Sequence, residues 1–386
     1  MASLLVVIYI VFISLGLPDS LFGVSWPVVH TEFGLAENFA SFYSIIIAVC
    51  TGGVSFVAGK LIRRFGTGKV TLFSTLLTVV GLVGISFSPN IWVMMVFSVI
   101  LGYGAGAIDT GLNNYVSLHY EARHMNWLHC FWGLGVTVSP MIMSTFLVGQ
   151  EGSWRGGYRV IALIQFAIAM IVLATLKKWA PSSAAETDEE KRAPDKSFLE
   201  LVRGKGVATS ILSLGFYCAG ESVLGTWGAT YAVNVFRLTP DNAALWVSLY
   251  YGGIMLGRVV AGFVSHKVSD NGFAKGGMLV SAAGILLLAL PLGSVSLLGL
   301  LLIGFGYGPV FPAVIHSIPA RFGTEYSADM TGYHMGGAYL LGFAMQLTFG
   351  FVASATTFAI TPLVLIALCA GVLLTTTCTL NALKKA

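Results

Sequence analysis

The sequence predicts an all-α polytopic membrane protein whose twelve transmembrane helices form two pseudo-symmetric six-helix halves. Three features indicate this fold: the composition, the number of long apolar runs, and a pattern that recurs in both halves of the chain. Of the 386 residues, 56% are hydrophobic and only 10% are charged, and the mean hydropathy is +0.83. Soluble domains contain about 25% charged residues, so one soluble core could not bury this much apolar surface.

Twelve apolar runs are long enough to cross a bilayer, which takes about 20 helical residues. The first run lacks a basic n-region and is too long for the apolar region of a signal peptide, so we expect it to be a membrane helix. The loops between the runs are short. The runs cover residues 4–29, 39–62, 70–88, 92–118, 127–148, 158–178, 207–235, 243–265, 276–293, 296–319, 329–352 and 358–381.

Two acids occupy matching positions in the two halves. Asp19 is followed by a serine at the next position and a glycine three residues further, and Glu221 repeats this pattern 202 residues later. The glycine run Leu101–Gly106 recurs at Ile303–Gly308 with the same offset. A shared offset at separate places indicates duplicated halves, and duplicated membrane halves with acids near mid-depth are typical of secondary transporters.

The two glycine runs have a dinucleotide-binding alternative. Such a phosphate-binding loop needs a strand before it and an amphipathic helix after it. Both runs lie instead inside membrane-length apolar segments, where glycine lets helix backbones approach closely. We therefore predict that these glycines pack helices together.

Loop charges predict the orientation of the chain. With both termini in the cytoplasm, seventeen of the 21 Lys and Arg residues lie on the cytoplasmic side, and only Arg155, Arg159 and Arg237 lie on the other. This asymmetry follows the positive-inside rule, so we expect a multi-pass protein of the cytoplasmic membrane with both termini cytoplasmic. The formal net charge of +4 is explained by these loops, and we expect no nucleic-acid partner.

One long polar stretch divides the chain. Residues 180–196 are charged, contain two prolines and lack aromatic residues. This composition is typical of a flexible linker. We therefore expect a six-helix bundle at 1–179, a cytoplasmic linker at 180–203 and a second six-helix bundle at 204–386.

Three acids, Asp19, Asp109 and Glu221, lie within apolar runs. An ionisable side chain at the bilayer centre costs about 2.5–3.5 kcal/mol on insertion scales, so its presence indicates a function. We predict that these carboxylates couple transport to protons. The alternative for Asp19 and Asp109 is a polar contact between helices, and for Glu221 it is a salt bridge with Arg258, a basic residue inside a predicted helix.

The helix that carries Asp19 also contains Pro18 and Pro27. Because proline removes a helical hydrogen bond, we expect this helix to be broken or kinked at mid-depth. Trp26 lies two turns beyond Asp19. Its indole either stacks on a substrate or belongs to the aromatic belt at the membrane interface.

Polar and aromatic side chains near the acids are candidates for binding a small polar solute. Asn113 lies four residues after Asp109 and shares its helix face, with Asn114 beside it. For the histidines the alternative is a hydrogen-bonded packing role. The predicted substrate contacts are Trp26, Asn113, Asn114, His129, Phe131, Glu221, Trp227, Tyr250 and His334.

No motif points to a cofactor, a metal or an enzyme. The spacing of His119, His124 and His129 by five residues does not place them on one helix face as metal ligands. The five cysteines form no C-x-x-C pair and are expected to pack in helices. No arrangement of serine, histidine and acid is specific enough to indicate hydrolysis.

The segment after the second apolar run, GKLIRRFGTGK at residues 59–69, resembles the loop motif G-x-L-a-D-R-x-G-R-K of the major facilitator superfamily. Gly59, Leu61, Arg64 and Gly66 match the motif, but Arg63 stands where the family has its acid. A weaker copy, AGFVSHK, follows at 261–267. The resemblance covers the whole chain and implies the major facilitator fold. It also implies gating roles for Gly59 and Arg64. We predict a gating role for Arg258 as well.

The segments GYGAGAIDTGLNNYV and NWLHCFWGLG (126–135) resemble the fucose permease branch of proton-coupled sugar symporters. The resemblance implies that Asp19 and Asp109 serve proton coupling and sugar binding. His129 and Cys130 stand where that branch has other residues, so the resemblance does not name the sugar.

We therefore expect a symporter that moves a small polar solute, most simply a monosaccharide, together with protons by alternating access as a monomer in the lipid bilayer. Three alternatives stay open: a proton-driven exporter of amphipathic compounds or sugars, a polytopic membrane enzyme and a membrane scaffold. Three acids and paired asparagines favour a polar solute over an amphipathic one. Sodium coupling is a further alternative for the ion.

Overall fold

The structure, a computed structural model, describes residues 2–36, 39–147, 153–179, 196–238, 240–290, 292–293 and 295–384. Within these ranges every regular element is helical, and twelve helical segments are long and apolar enough to cross a membrane, which confirms the predicted fold class. Short 3-10 helices lie at Leu176–Trp179 and Phe358–Ile360. The α-helices are α1 (Ala2–Asp19), α2 (Leu21–Glu32), α3 (Ala40–Phe65), α4 (Thr67–Ser86), α5 (Ile91–His119), α6 (Ala122–Leu147), α7 (Trp154–Thr175), α8 (Phe198–Val202), α9 (Val207–Phe236), α10 (Pro240–Val264), α11 (Asp270–Ala289), α12 (Val295–Tyr307), α13 (Val310–His316), α14 (Ile318–Phe322), α15 (Ser327–Ala355) and α16 (Thr361–Lys384).

Residue contacts divide the chain into two compact units. Each unit holds most of one sequence half and one short segment of the other half. The predicted domain boundaries stay a prediction, and residues 180–195 of the expected linker lie outside the described residues. The first unit contains Met1–Tyr115, Leu128–Ala193 and Glu325–Gly332; the second contains Val116–Trp127, Pro194–Thr324 and Tyr333–Ala386.

The short helix α8 begins with a capping box. The Glu200 backbone N–H donates to the Ser197 hydroxyl, and the Ser197 backbone N–H donates to the Glu200 carboxylate at 2.6 Å. The Ser197 hydroxyl and amide both donate to the charged carboxylate, which holds the pKa of Glu200 below its usual range. A defined helix therefore follows the polar stretch of the sequence.

The glycine runs pack helix against helix, as predicted. A Cβ atom on Gly104 of α5 would lie 2.7 Å from the Ser74 carbonyl oxygen of α4, and one on Gly106 would overlap the Thr51 carbonyl of α3. In the second unit, a Cβ on Gly304 of α12 would overlap the Tyr250 carbonyl of α10. Since no larger residue fits, these helices touch backbone to backbone.

The first membrane helix is interrupted at Ser20, between α1 and α2, which confirms the expected break. Pro18 has no N–H to donate to the Ser14 carbonyl, and the Gln165 side chain of α7 donates to that carbonyl instead. Pro140 likewise frees the Val136 carbonyl of α6, which accepts from the Ser20 hydroxyl at 2.9 Å. Side chains from neighbouring helices thus satisfy the carbonyls that these prolines free inside the membrane.

Large apolar side chains also lie on the outside of the helices. Phe73, Leu163 and Phe351 are 65%, 68% and 78% exposed. Soluble proteins rarely expose many such residues together. Their number agrees with a chain whose helices are surrounded by lipid.

Candidate functional site

A chain of three polar side chains crosses from α5 to α6 in the first unit. The Asn113 side-chain amide donates to the Asp109 carboxylate at 2.7 Å, which confirms that the two residues share a helix face. The Asn113 side-chain oxygen lies 3.1 Å from Nε2 of His129. Because this oxygen can only accept, His129 carries the proton on Nε2 in this arrangement. All three residues are buried, so the chain links a carboxylate to an imidazole inside the apolar bundle.

Asp19 lies close to this chain but in a different environment. The Trp132 indole N–H donates to its carboxylate at 2.8 Å, and the Asp19 side chain is exposed. Gly16 of α1 and Gly135 of α6 allow the approach, since a Cβ on either would overlap a backbone carbonyl of the other helix. Asp109 is near enough for its charge to interact with that of Asp19. Both predicted acids therefore lie in the first unit, Asp19 bonded to α6 and Asp109 bonded within α5.

Three other predicted contact residues of the first unit contact further parts of that unit. Trp26 is buried in an apolar core beside Phe22, so its indole is covered by neighbouring side chains. Phe131 stacks on Tyr9 with ring centroids 4.5 Å apart. Asn114 accepts from the Ser327 hydroxyl at 2.6 Å. Their roles in substrate binding stay predictions.

Glu221 of α9 and Arg258 of α10 face each other in the second unit. The closest distance, between Oε1 of Glu221 and Nη2 of Arg258, is 4.0 Å, so the pair is an ion pair without a direct hydrogen bond. The Arg258 Nε–H donates to the Gly308 carbonyl at 3.3 Å, a carbonyl that Pro312 leaves without its helical partner. Arg258 is buried, whereas 27% of the Glu221 side chain is exposed. The carboxylate is therefore the accessible member.

The remaining predicted contacts of the second unit are engaged in packing. The Trp227 indole N–H donates to the Gln346 carbonyl at 2.9 Å. His334 lies 2.8 Å from the Ser210 hydroxyl and is fully buried. Tyr250 is 1% exposed, so its ring is covered in this conformation. The substrate roles of these three residues stay predictions.

The motif segment lies against the first turn of α15. A Cβ on Gly59 would lie 2.5 Å from the backbone of Asp329, and Arg63 forms an ion pair with the Asp329 carboxylate. Both charged side chains are nearly buried, at 9% and 2% exposure. Arg64 is exposed and lies over the Phe65 ring at 5.3 Å. The basic residue engaged here is thus Arg63, which occupies the position of the family's acid.

Three residues of these contacts escaped the sequence analysis: Trp132, Asp329 and Tyr251, whose hydroxyl lies against Gly225 on the face of Glu221. Trp132 lies three residues after His129, a spacing that places both on one helix face and could have revealed it. Asp329 lies in the first turn of an apolar run, where an acid is also expected for helix capping. Among the described residues, no cluster of His, Cys, Asp and Glu fits a metal ion.

Solved structures share this architecture. The chain superposes on the E. coli fucose:proton symporter FucP (N162A) with a TM-score of 0.80 and 16% identity, covering 97% of each chain. The proton:xylose symporter XylE bound to 6-bromo-6-deoxy-D-glucose gives a TM-score of 0.80 and 14% identity, covering 96% of this chain and 94% of that one. At these identities the likeness shows the fold.

Two curated relatives are similar in sequence. The glucose/mannose transporter GlcP of Bacillus subtilis is 24% identical over 324 residues, covering 79% of this chain and 78% of GlcP. A putative glucose/galactose transporter of Helicobacter pylori is 25% identical over 228 residues, and the match spans 56% of this chain and 55% of that protein. A sequence profile of the Major Facilitator Superfamily matches residues 8–347. The chain therefore belongs to the Major Facilitator Superfamily.

Proposed function

We propose that this protein is a proton-coupled symporter of a monosaccharide that works by alternating access. In this proposal it is a transporter and not an enzyme, acts as a monomer in the cytoplasmic membrane and has both termini in the cytoplasm. The observation that carries the proposal is the buried chain of Asp109, Asn113 and His129 with Asp19 beside it. Packing alone does not require a carboxylate at such a position.

The similar proteins support the substrate class and the coupling ion. The two curated relatives are named as transporters of glucose with mannose or galactose. The two solved structures are described as proton symporters of fucose and xylose. A neutral monosaccharide and a proton are therefore the first substrate and ion to test.

The geometry indicates how proton and sugar binding could be coupled. Two carboxylates that interact inside an apolar bundle repel each other when both are charged, and a proton on either one relieves this repulsion. Protonation removes a buried charge and lowers the cost of the conformational change. A sugar hydroxyl that displaces one hydrogen bond of Asn113 changes the surroundings of Asp109. Asn113 is therefore the group through which sugar binding would reach the proton site.

Transport in proteoliposomes tests this function. Purified protein is reconstituted, and counterflow of radiolabelled glucose, mannose, galactose, fucose and xylose is compared with that of empty liposomes. We expect at least one sugar to exchange, and to accumulate when the outside is acidified and a protonophore is absent. Exchange without accumulation in a pH gradient, or accumulation in a sodium gradient alone, contradicts proton coupling. Exchange of none of the sugars contradicts the substrate class.

A further inference from the structure

Tyrosines from three helices surround Glu221 in the second unit. Tyr217 lies one turn before Glu221 on α9, and its hydroxyl faces the Glu221 carboxylate. Tyr250 and Tyr307 close the other side, with Tyr307 5.1 Å from Tyr217 and 6.4 Å from Tyr250 between ring centroids. All three are at most 1% exposed. These three buried rings pack together beside the carboxylate.

Tyr251 differs from these three tyrosines because its side chain is accessible. It is 47% exposed, next to the buried Tyr250. Its hydroxyl lies against Gly225, where a Cβ would crowd it, and Gly225 is one turn after Glu221 on the same face of α9. The charge of Glu221 acts on this phenol. An exposed aromatic ring therefore lies one helical turn from a partly exposed carboxylate.

We propose that Glu221 and Tyr251 form a sugar-binding subsite of the second unit. The carboxylate accepts hydrogen bonds from two neighbouring ring hydroxyls, and the phenol ring packs on the apolar C–H face of the sugar. Charge-assisted hydrogen bonds and an aromatic surface together suit a ligand that is polar at its edge and apolar on its face. The subsite rests on the proposed function, since it deepens the choice of a monosaccharide as substrate.

Arg258 supports this assignment through its distance from Glu221. At 4.0 Å the guanidinium neutralises the carboxylate without taking its lone pairs in a direct hydrogen bond. The Gly308 carbonyl holds the guanidinium on its other side. The Glu221 carboxylate thus keeps acceptor capacity for a ligand. Arg258 is a positioning residue in this subsite.

The test measures sugar binding to the purified full-length protein and its variants. Tyr251→Leu removes the ring, Tyr251→Phe keeps it, and Glu221→Gln replaces an acceptor by a donor. The matched control is Tyr103→Leu, since Tyr103 is also a half-exposed tyrosine (45%) but belongs to α5 of the first unit. Each variant is first checked for a single size-exclusion peak and a thermal unfolding midpoint.

We expect Tyr251→Leu and Glu221→Gln to raise the Kd of the transported sugar about tenfold or more, and Tyr251→Phe and Tyr103→Leu to change it less than threefold. Monodeoxy sugars provide a second readout. At least one monodeoxy sugar that binds the wild type more weakly than the parent sugar should bind Glu221→Gln as well as the parent sugar does. This comparison remains informative if Tyr251→Leu does not fold.

The outcomes separate the two proposals. If the wild type binds none of the five sugars, the proposed function fails and the subsite falls with it. Wild-type binding with unchanged affinity in Tyr251→Leu, or with every deoxy effect retained in Glu221→Gln, overturns the subsite and leaves the symporter proposal standing. Equal losses in Tyr251→Leu and Tyr103→Leu also overturn it, because the effect is then not specific to the tyrosine beside Glu221.

Discussion

Asp19 and Asp109 both lie in apolar helices, but their partners differ. Asp109 is buried and accepts from Asn113, which is tied to His129. Asp19 is exposed and accepts from the indole of Trp132. A change at Asp109 is therefore passed along a chain of hydrogen bonds, whereas a change at Asp19 reaches α6 through one contact. We therefore expect substitution of either aspartate to abolish proton coupling, and substitution of Asp109 to weaken sugar binding more than substitution of Asp19.

Asp109→Asn and Asp19→Asn should each abolish sugar accumulation driven by a pH gradient, because an amide cannot carry the titrating charge. Both variants should still exchange sugar in counterflow, which needs no net proton movement. Asp109→Asn should in addition weaken sugar affinity, because its amide disturbs Asn113. Transport assays in proteoliposomes measure both quantities.

The control for these variants is Glu121→Gln, which removes a carboxylate that is 74% exposed outside the membrane helices. It should accumulate sugar as the wild type does. Wild-type accumulation by both aspartate variants would show that the two acids serve only as polar contacts between helices.

The sequence predicts some of these side-chain contacts and not others. Asp109 and Asn113 are four residues apart, and helix geometry alone places them together. Trp132 and Asp19 are separated by 113 residues, and their contact depends on which two helices pack and on glycines that let them approach. Periodicity gives the face of a helix but not the helix opposite it.

Between helices, the contact of α3 with the start of α15 carries a basic residue where the family motif has an acidic one. Arg63 stands where the family motif has an acid, and it faces the first turn of a helix, where the partial positive charge of the N-terminus would repel it. Asp329 lies in that turn and pairs with Arg63. The acid on α15 thus compensates both the arginine and the helix terminus.

Exchanging the two charges tests this pairing. Arg63→Asp and Asp329→Arg should each be strongly destabilising, on the order of 3–5 kcal/mol, because each leaves a nearly buried charge without its partner. The double exchange should recover most of the loss. Recovery should stay incomplete, since an arginine at the helix N-terminus costs about 0.3–1 kcal/mol. Thermal unfolding of the four proteins in detergent gives the coupling energy.

Arg64→Asp is the matched control, since Arg64 is the exposed neighbour of Arg63. It should shift the unfolding midpoint only slightly. Additive losses in the double exchange would mean that Arg63 and Asp329 do not stabilise each other. A large loss in Arg64→Asp would instead assign the effect to the motif loop as a whole.

For the whole molecule, hydropathy predicted the helices because bilayer thickness sets a minimum apolar length. All twelve expected spans appear in the described part of the chain. The division into units could not be predicted from hydropathy, because residues 116–127 group with the second unit and 325–332 with the first. Hydropathy identifies which residues cross a membrane and carries no information on which helix ends contact each other.

The charges of the loops predict which side of the membrane each loop faces. In a background where the five cysteines at positions 50, 130, 218, 369 and 378 are replaced, a single cysteine is introduced by Ser183→Cys in the polar stretch or by Ser153→Cys before α7. Because basic residues stay in the cytoplasm, intact cells should protect position 183 from a membrane-impermeant maleimide and expose position 153. Permeabilised cells should label both. Labelling of position 183 in intact cells would reverse the orientation and with it the assignment of both termini, since an even number of spans places the termini on one side.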